Sequence, residues 1–323
     1  MADNFPDSPS AGQPDGPKIT VVGSINMDLV VRAGTIPVAG QTVLGHSLAT
    51  VPGGKGANQA VAAARCQGRV RMIGRVGNDD FGHRMIVGLQ ANGVETSGIM
   101  VSEAVATGAA IVMVDDNGEN SICLAGGANL LLKPADIEEQ LPLIAQADVV
   151  LLQLEIPIET AVHALELAHR HGVPVILNPA PAPGAEQLDP KLYSADVLIP
   201  NEDEAARLSG EPITDVHTAK LAASALVTRG ARTVVVTLGR RGALAITAEE
   251  LHHIPPFCAK IVDSTGAGDA FCGAFTVAYA RKFDLHQATR FAAAAGALAC
   301  NKFGAQPSMP HLDAIMRLVQ RSC

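Results

Sequence analysis

From Asp136 onward the sequence alternates short apolar runs with segments of helical periodicity, and this alternation limits the possible folds more than any other feature. Asp148–Leu152, Val173–Leu177, Val197–Ile199 and Thr233–Leu238 are short and rich in β-branched residues, which marks them as strands. Between them lie Ile158–His171, Glu202–Leu208 and Ala219–Thr228, whose apolar residues recur at helical spacing. Strands that are apolar on both faces and separated by helices specify an α/β fold, with a mostly parallel central β-sheet covered by helices on both faces. Ala243–Thr247 is expected to pair nearby. Three helices close the chain: Ala270–Arg281, His286 to about Lys302, and Leu312–Arg321.

The first half follows the same rhythm with two interruptions. Lys18–Ser24 is a buried strand, but Met27–Val31 and Thr42–Val51 read as further strands around the turn Ile36–Gly40. An Ala-rich helix to about Arg65, the strand Val70–Val76, the helix Phe81–Ala91 and a short strand Ile99–Val101 restore the α/β order. Thr107–Val114, the turn Asp115–Gly118 and Ser121–Leu124 then form a hairpin pattern. Neither β excursion suits the interior of a parallel sheet. Segments 27–51 and 105–125 are therefore expected to build a small β-sheet lid, hinged at Gly40 and around Gly126–Gly127, on one α/β domain spanning 18–323. Residues 1–17, rich in Pro, Asp, Ser and Gly, read as a disordered tail.

Composition narrows the function. A chain of 323 residues that is 48% hydrophobic can bury a full α/β core. Its net charge of −8 and lack of a basic stripe argue against nucleic-acid and anionic-membrane partners. No apolar run reaches the roughly 18 residues of a membrane span, and no signal peptide is legible. Six cysteines without a CxxC pair suit reduced thiols in a cytoplasmic protein. His163, His169 and His171 read as a solvated helix face rather than metal ligands. No Gly-x-Ser-x-Gly elbow occurs, and no GxGxxG follows the first strand.

Asp263-Ser-Thr-Gly-Ala-Gly-Asp269 carries the sharpest chemical signal. A glycine turn opening a helix leaves the N–H groups of Gly266, Ala267 and Gly268 facing one spot, an anion hole backed by the helix dipole. A carboxylate at Asp269 beside that hole can take the proton of an attacking hydroxyl, or it can simply cap the helix. Gly53-Gly-Lys-Gly-Ala-Asn58 departs from the Walker pattern. It either offers Lys55 and Asn58 as donors to a small polar ligand or is a plain glycine-rich helix start. Asn26 and Asp28, at period two, grip vicinal hydroxyls or are a turn Asn and a surface Asp. Asn201 and Glu204 have capping-box spacing, which is compatible with a nucleotide role. Asn26, Glu155, Asn178, Asn201 and Thr237 each follow a strand by a few residues, so they line one rim, where open α/β sheets bind ligands.

Together these segments resemble the PfkB-type carbohydrate kinase family, over nearly the whole chain from about Lys18 to Pro310. The carriers are Gly23–Asp28, Gly53–Ala60, Gln153–Glu155, Asn178–Pro181, Pro200–Glu204, Thr237–Gly239, Asp263–Asp269 and Gly304–Ser308. The resemblance implies ATP-dependent phosphorylation of a sugar, with Asp269 as general base and Asn26, Asp28, Gly54, Lys55, Asn58 and Glu155 on the sugar. The Asn-x-Asp and Gly-Gly-Lys-Gly-Ala-Asn motifs favour D-ribose over deoxyribose, fructose or adenosine. A non-catalytic sugar-binding protein is a third reading, against which Asp269 stands. The same resemblance puts Asn201, Glu204, Thr237, Gly239, Gly242 and Gly268 on ATP, with Mg2+ between its phosphates. Ala293 would lie beside adenine, where relatives often carry a larger polar residue. Asp263, Thr265, Ala299, Lys302, Gly304 and Ser308 would surround K+. A homodimer formed through the lid sheet is expected.

Overall fold

The computed structural model describes residues 16–184 and 188–321. The expected disordered tail thus lies outside the described residues except for Gly16 and Pro17, and Pro17 is tied down: its carbonyl accepts the Arg69 N–H at 2.8 Å.

The N-terminal half runs β1 (Lys18–Val22), β2 (Asn26–Ala33), β3 (Gly45–Gly53), α1 (Lys55–Arg65), β4 (Arg69–Gly77), α2 (Asp80–Ala91) and β5 (Glu95–Ser102). Then come β6 (Gly108–Val114), β7 (Asn120–Ala125), α3 (Pro134–Glu139), α4 (Leu141–Ala145), β8 (Val149–Leu152), α5 (Ile158–Arg170) and β9 (Val175–Leu177). The rest is β10 (Val197–Leu198), α6 (Glu202–Ser209), α7 (Val216–Thr228), β11 (Thr233–Thr237), β12 (Ala243–Ile246) and β13 (Leu251–Ile254), followed by α8 (Ala267–Ala280), α9 (Leu285–Ala299), α10 (Ala305–Ser308) and α11 (Leu312–Gln320).

Nine strands form the main sheet in the order β13-β12-β11-β10-β9-β8-β1-β4-β5. It is parallel from β11 to β5, and β12 and β13 extend it antiparallel. Successive side chains of a strand point to opposite faces, and both faces are covered. Ile19, Val21, Val149, Leu151, Ile176 and Val235 pack on the side of α1, α8, α9 and α11. Val22, Val150, Leu152, Val175, Leu177, Val234 and Val236 pack against α5, α6 and α7. The expected α/β architecture is the one observed.

The two β excursions pair with each other into a separate four-stranded sheet, β3-β2-β6-β7. Asn26 pairs with both Gly53 and Gly108, so the end of this sheet nearest the main domain begins at the Asn26–Asp28 and Gly53–Asn58 motifs. Gly40 is not a hinge. It sits in the loop between the antiparallel strands β2 and β3, away from where they leave the main domain, and a side chain there would meet nothing within 4 Å. The joints of this excursion are instead residues 23–25 and Gly54, whose φ of 86° requires glycine.

Several boundaries also differ from expectation. β13, α3 and α4 were not legible, and β5 is longer than Ile99–Val101: its first residues, Glu95 to Ser97, are polar, as an edge strand allows, and so carry no apolar strand signal. Helix α9 stops at Ala299 rather than Lys302, where the Cys300 carbonyl turns out to accept the N–H groups of Val262 and Asp263. Helix α8 starts at Ala267, three residues before the expected Ala270.

Candidate active site

Asp269 is the third residue of α8 and is buried at 8% exposure. It does not cap the helix. The N-cap is Gly266, in the left-handed region at φ 79°, and no side chain caps the helix there. The carboxylate turns instead toward α1: Oδ2 accepts from Asn58 Nδ2 at 2.9 Å and Oδ1 from Gln59 Nε2 at 3.0 Å. Helices α1 and α8 approach closely enough for this because their contact is made of small residues. A side chain at Gly273 would meet the Ala62 Cβ at 2.6 Å and the Gln59 carbonyl oxygen at 2.7 Å. Burial pushes the Asp269 carboxyl above its ordinary pKa, against the pull of Lys55, Gln59 and Asn58.

Of the three N–H groups expected in the anion hole, that of Ala267 is already engaged, because residues 264–267 close a turn with its N–H donating to the Ser264 carbonyl at 3.2 Å. The first intrahelical bond is Ala270 N–H to the Gly266 carbonyl. This leaves Gly268 and Asp269 among the helix donors without an i−4 partner. Gly268 is exposed and a side chain added there would meet nothing within 4 Å, so the space in front of the helix N-terminus is open.

Ser24, Asn26, Lys55 and Glu155 converge on the same place. Glu155 Oε2 accepts from Ser24 Oγ at 2.5 Å, from the Lys55 N–H at 3.2 Å and from Asn26 Nδ2 at 3.4 Å. Asn129, fully buried, holds Asn26 from behind: its Nδ2 donates to Asn26 Oδ1 at 2.7 Å while its Oδ1 accepts the Ile25 N–H at 2.9 Å. The Asp28 carboxyl is pushed up to about 7, first by burial and then by Glu155 and Asp269, with Lys55 opposing. Burial works against the Lys55 charge, yet Asp269, Glu155 and Glu204 outweigh it and raise its pKa. Asp28, Lys55, Glu155 and Asp269 thus share one electrostatic site. Neither a turn Asn nor a surface Asp describes Asn26 and Asp28. Asn58 Oδ1 is buried with no partner, an acceptor left over beside Asp269.

At the far rim Asn201 and Thr237 are bridged strand to strand. Asn201 caps α6 in a full capping box with Glu204, at 2.8 and 2.9 Å. Burial raises the half-buried Glu204 carboxyl. Gly239 and Gly242 have φ of 52° and 89°, and the space beside Gly239 is open. Ala293 is half-buried on α9 and packs on the core. Among the described residues no cluster of three or more His, Cys, Asp or Glu side chains could hold a metal ion.

Of the last expected cluster, hydrogen bonds join Asp263, Thr265 and Gly304. The half-buried Asp263 carboxylate accepts the Thr265 N–H at 2.9 Å and the Gly304 N–H at 2.8 Å. Burial opposes its charge, but those N–H groups and Arg32 outweigh it and hold the carboxyl below its ordinary pKa. Ser308 is buried and its hydroxyl donates to the Ala305 carbonyl at 2.7 Å. The Ala299 carbonyl accepts the Lys302 N–H at 3.4 Å, and the Lys302 residue itself is exposed.

Residues 17–312 match the model of the pfkB family carbohydrate kinases. The chain belongs to the pfkB family of carbohydrate kinases. It is 42% identical over 301 residues to the ribokinase of Bacillus subtilis, covering 93% of this chain and 99% of that one. It is 36% identical over 296 residues to the deoxyribokinase of Salmonella typhi, covering 91% of this chain and 96% of that one. It is 38% identical over 308 residues to a bifunctional ribokinase/ribose-5-phosphate isomerase A of Fructilactobacillus sanfranciscensis, using 94% of this chain but spanning only 56% of that longer relative. Among solved structures, that of Arabidopsis thaliana ribokinase complexed with ribose and ATP superposes with a TM-score of 0.87 at 33% identity, covering 95% of this chain and all of that one.

Within this pfkB kinase, the sequence alone points to no role for four residues at the site: Ser24, Gln59, Asn129 and Gln153. Ser24, Gln59 and Gln153 lie inside the quoted motifs, next to residues that did have a role, so adjacency was the available signal. Asn129 gave none, because its task is to meet Ile25 and Asn26 from more than a hundred positions away.

Proposed function

We propose that this kinase transfers the γ-phosphoryl group of ATP to the 5-hydroxyl of D-ribose. The observation that carries the reading is the buried Asp269 carboxylate, aimed by Asn58 and Gln59 and placed beside the open N-terminus of α8, in reach of the field of Asp28, Glu155 and Lys55. The 5-hydroxyl oxygen attacks phosphorus and its proton passes to Asp269; the new O–P bond forms as the bond from phosphorus to the departing ADP oxygen breaks. The raised proton affinity of Asp269 makes it a better base. Donors at the helix N-terminus meet the charge on the transferred group.

Asn26, Asp28, Gly54, Lys55, Asn58 and Glu155 hold the sugar; the unpartnered Asn58 Oδ1 and the Asp28 carboxylate supply acceptors for its hydroxyls. Gly53 keeps the approach to Asp28 clear, since a side chain there would overlap that carboxylate. Asn201, Glu204, Thr237, Gly239, Gly242 and Gly268 hold ATP, with Ala293 beside adenine; the open space at Gly239 and Gly268 is what backbone contact with phosphates needs. Mg2+ would arrive with the nucleotide and supply positive charge against that building on the transferred phosphoryl group. K+ fits the segments around Asp263, Thr265, Ala299, Lys302, Gly304 and Ser308, an all-oxygen set with one ionised carboxylate.

The small sheet acts as a lid that excludes water, pivoting at residues 23–25, Gly54 and Gly126–Gly127, and as the surface of a homodimer. Leu48 and Ile111 on one of its faces and Ile122 and Leu124 on the other are exposed at 67, 49, 60 and 42%. A cytoplasmic location suits Cys66, Cys123, Cys272 and Cys300, which are unoxidised thiols among the described residues. No helix among the described residues is long and apolar enough to cross a membrane.

The test is ADP formation with each of a panel of pentoses, hexoses and nucleosides, in potassium buffer with magnesium, and identification of the product by phosphorus NMR. D-Ribose should be the best acceptor and give a 5-phosphate. The likeness to a deoxyribokinase makes 2-deoxyribose the second reading, and a higher kcat/KM for it would replace ribose.

A further inference from the structure

Behind Asp269 three buried side-chain amides form a hydrogen-bonded chain whose direction is fixed at its far end. The Ile199 carbonyl can only accept, and it takes the Nδ2 hydrogen of Asn178 at 2.8 Å. Asn178 must therefore present Oδ1 to Gln59, whose Nε2 donates to it at 2.9 Å. The second Nε2 hydrogen of Gln59 goes to Asp269 Oδ1 at 3.0 Å. Gln59 Oε1 faces the other way and accepts from Gln153 Nε2 at 2.7 Å. Turning the Gln59 amide over would set oxygen against oxygen at Asn178 and at Asp269, whichever way the Gln153 amide, whose Oε1 has no partner, then turns. Gln59 and Gln153 are 0% exposed and Asn178 8%, so no water shell is available to repair such a mismatch.

We propose that Gln59, its direction fixed by Asn178, is the positioning residue that aims the Asp269 carboxylate and keeps it an acceptor ready to receive the substrate proton. The proposal rests on reading Asp269 as the base. Gln59 itself gains and loses no proton: the hydrogen of the acceptor hydroxyl goes to Asp269 while the O–P bond forms. Because none of the three amides titrates, the direction of the chain is the same at every working pH, and Asp269 is the member whose charge can change.

The charged and titratable groups around Asp269 come from five elements. Lys55 on α1 favours its ionised form; Glu155 after β8 raises its proton affinity, and Glu204 on α6, Asp28 on β2 and Cys272 one turn along α8 lie in the same field. Burial pushes the carboxyl toward the neutral form. The Gln59 donor offsets part of that push, and Asn58 on the other oxygen offsets a further part.

The experiment compares the wild type with Gln59→Met, which removes the donor at similar volume, and Asn178→Leu, which leaves Gln59 in place but removes what fixes its direction. With both substrates saturating, the acidic limb of kcat should move up by about one pH unit in Gln59→Met, the size of losing one donor to a buried carboxylate. It should move in the same direction by less in Asn178→Leu, with the KM for ATP unchanged in both. A lower plateau with an unmoved limb would mean a merely structural role and overturn the proposal. Asn178→Leu carries the comparison if Gln59→Met does not fold by circular dichroism. The carboxyl carbon of Asp269, followed by NMR in the sugar-free protein, should titrate at higher pH in both variants, and an unmoved titration overturns the proposal whatever the sugar acceptor is. Absence of any sugar-dependent ADP formation in the wild type would instead reject the proposed function while leaving that NMR outcome to judge Gln59.

Discussion

The N–H of Gly304 donates a 2.8 Å hydrogen bond to Asp263 Oδ2, across 41 positions of sequence. That contact ties the irregular segment leading into the anion turn to the chain after α9, and Ala305 then packs directly behind Gly266: a side chain at Gly266 would meet the Ala305 Cα at 2.9 Å. A cation held between these segments would touch no substrate, yet would fix the peptide planes at the start of α8. Turnover at saturating magnesium and ATP should therefore rise when potassium chloride is added to potassium-free Tris, compared with choline chloride at equal ionic strength, and sodium should do much less. Asp263→Ala should abolish the response and lower kcat about tenfold, a modest misalignment of the donors. An equal rate with and without potassium would remove the cation from the mechanism.

Asp269→Asn keeps the shape of the side chain but cannot take a proton. Thermal stability should be retained or increased, since a buried charge disappears, and both substrates should still bind by calorimetry. Turnover should fall at least about a hundredfold, the lower end for loss of an acid–base group. Near wild-type turnover would take Asp269 out of the reaction.

Much of this was readable because the sheet is parallel and buried on both faces. Runs such as Val149–Leu152 have no solvated side to blur their apolar signal, so strands and their order of alternation with helices were plain. β13 was missed for the opposite reason: Leu-His-His-Ile lies at an edge, half polar, and reads as loop. The site was legible where one motif holds its parts, as in residues 263–269. It was not legible where parts meet only through packing. No local pattern reveals that Asn58 and Gln59 contact Asp269 across more than two hundred positions, because that depends on Gly273 and Ala62 letting two helices close. Gly40 misled because glycine marks a turn as readily as a joint, and only the antiparallel pairing of β2 with β3 separates the two.

Gly53→Ala offers a clean test of the sugar end. Gly53 does not lie in the left-handed region, so alanine is conformationally allowed. Its methyl group would nevertheless overlap the Asp28 carboxylate, which must swing away. The variant should fold with a melting temperature close to the wild type and bind ATP normally. Its KM for ribose should rise about tenfold or more, as for loss of a hydrogen-bonded polar contact. Parallel losses for ribose and ATP would show that the substitution disturbs the domain rather than Asp28.

The Asp28 carboxyl, raised from the ordinary 3.8 to about 7 chiefly by burial, makes sugar binding depend on pH near neutrality. Ionised Asp28 is the form that accepts from sugar hydroxyls, so below pH 7 the protein must release a proton to bind. Ribose affinity should then fall toward tenfold for each pH unit below about 7 and level off above it. Stability of the sugar-free protein should follow the opposite sign. Between 3.8 and about 7 the folded state holds a proton on Asp28 that the unfolded state has lost, so this group contributes stability that is present at low pH and is lost as pH rises through 7. Calorimetry at pH 6 in two buffers of different ionisation enthalpy should reveal the released proton, and Asp28→Asn should abolish that release while weakening binding at every pH. A ribose dissociation constant that stays flat between pH 5.5 and 8 would show that Asp28 is not the acceptor that grips the sugar.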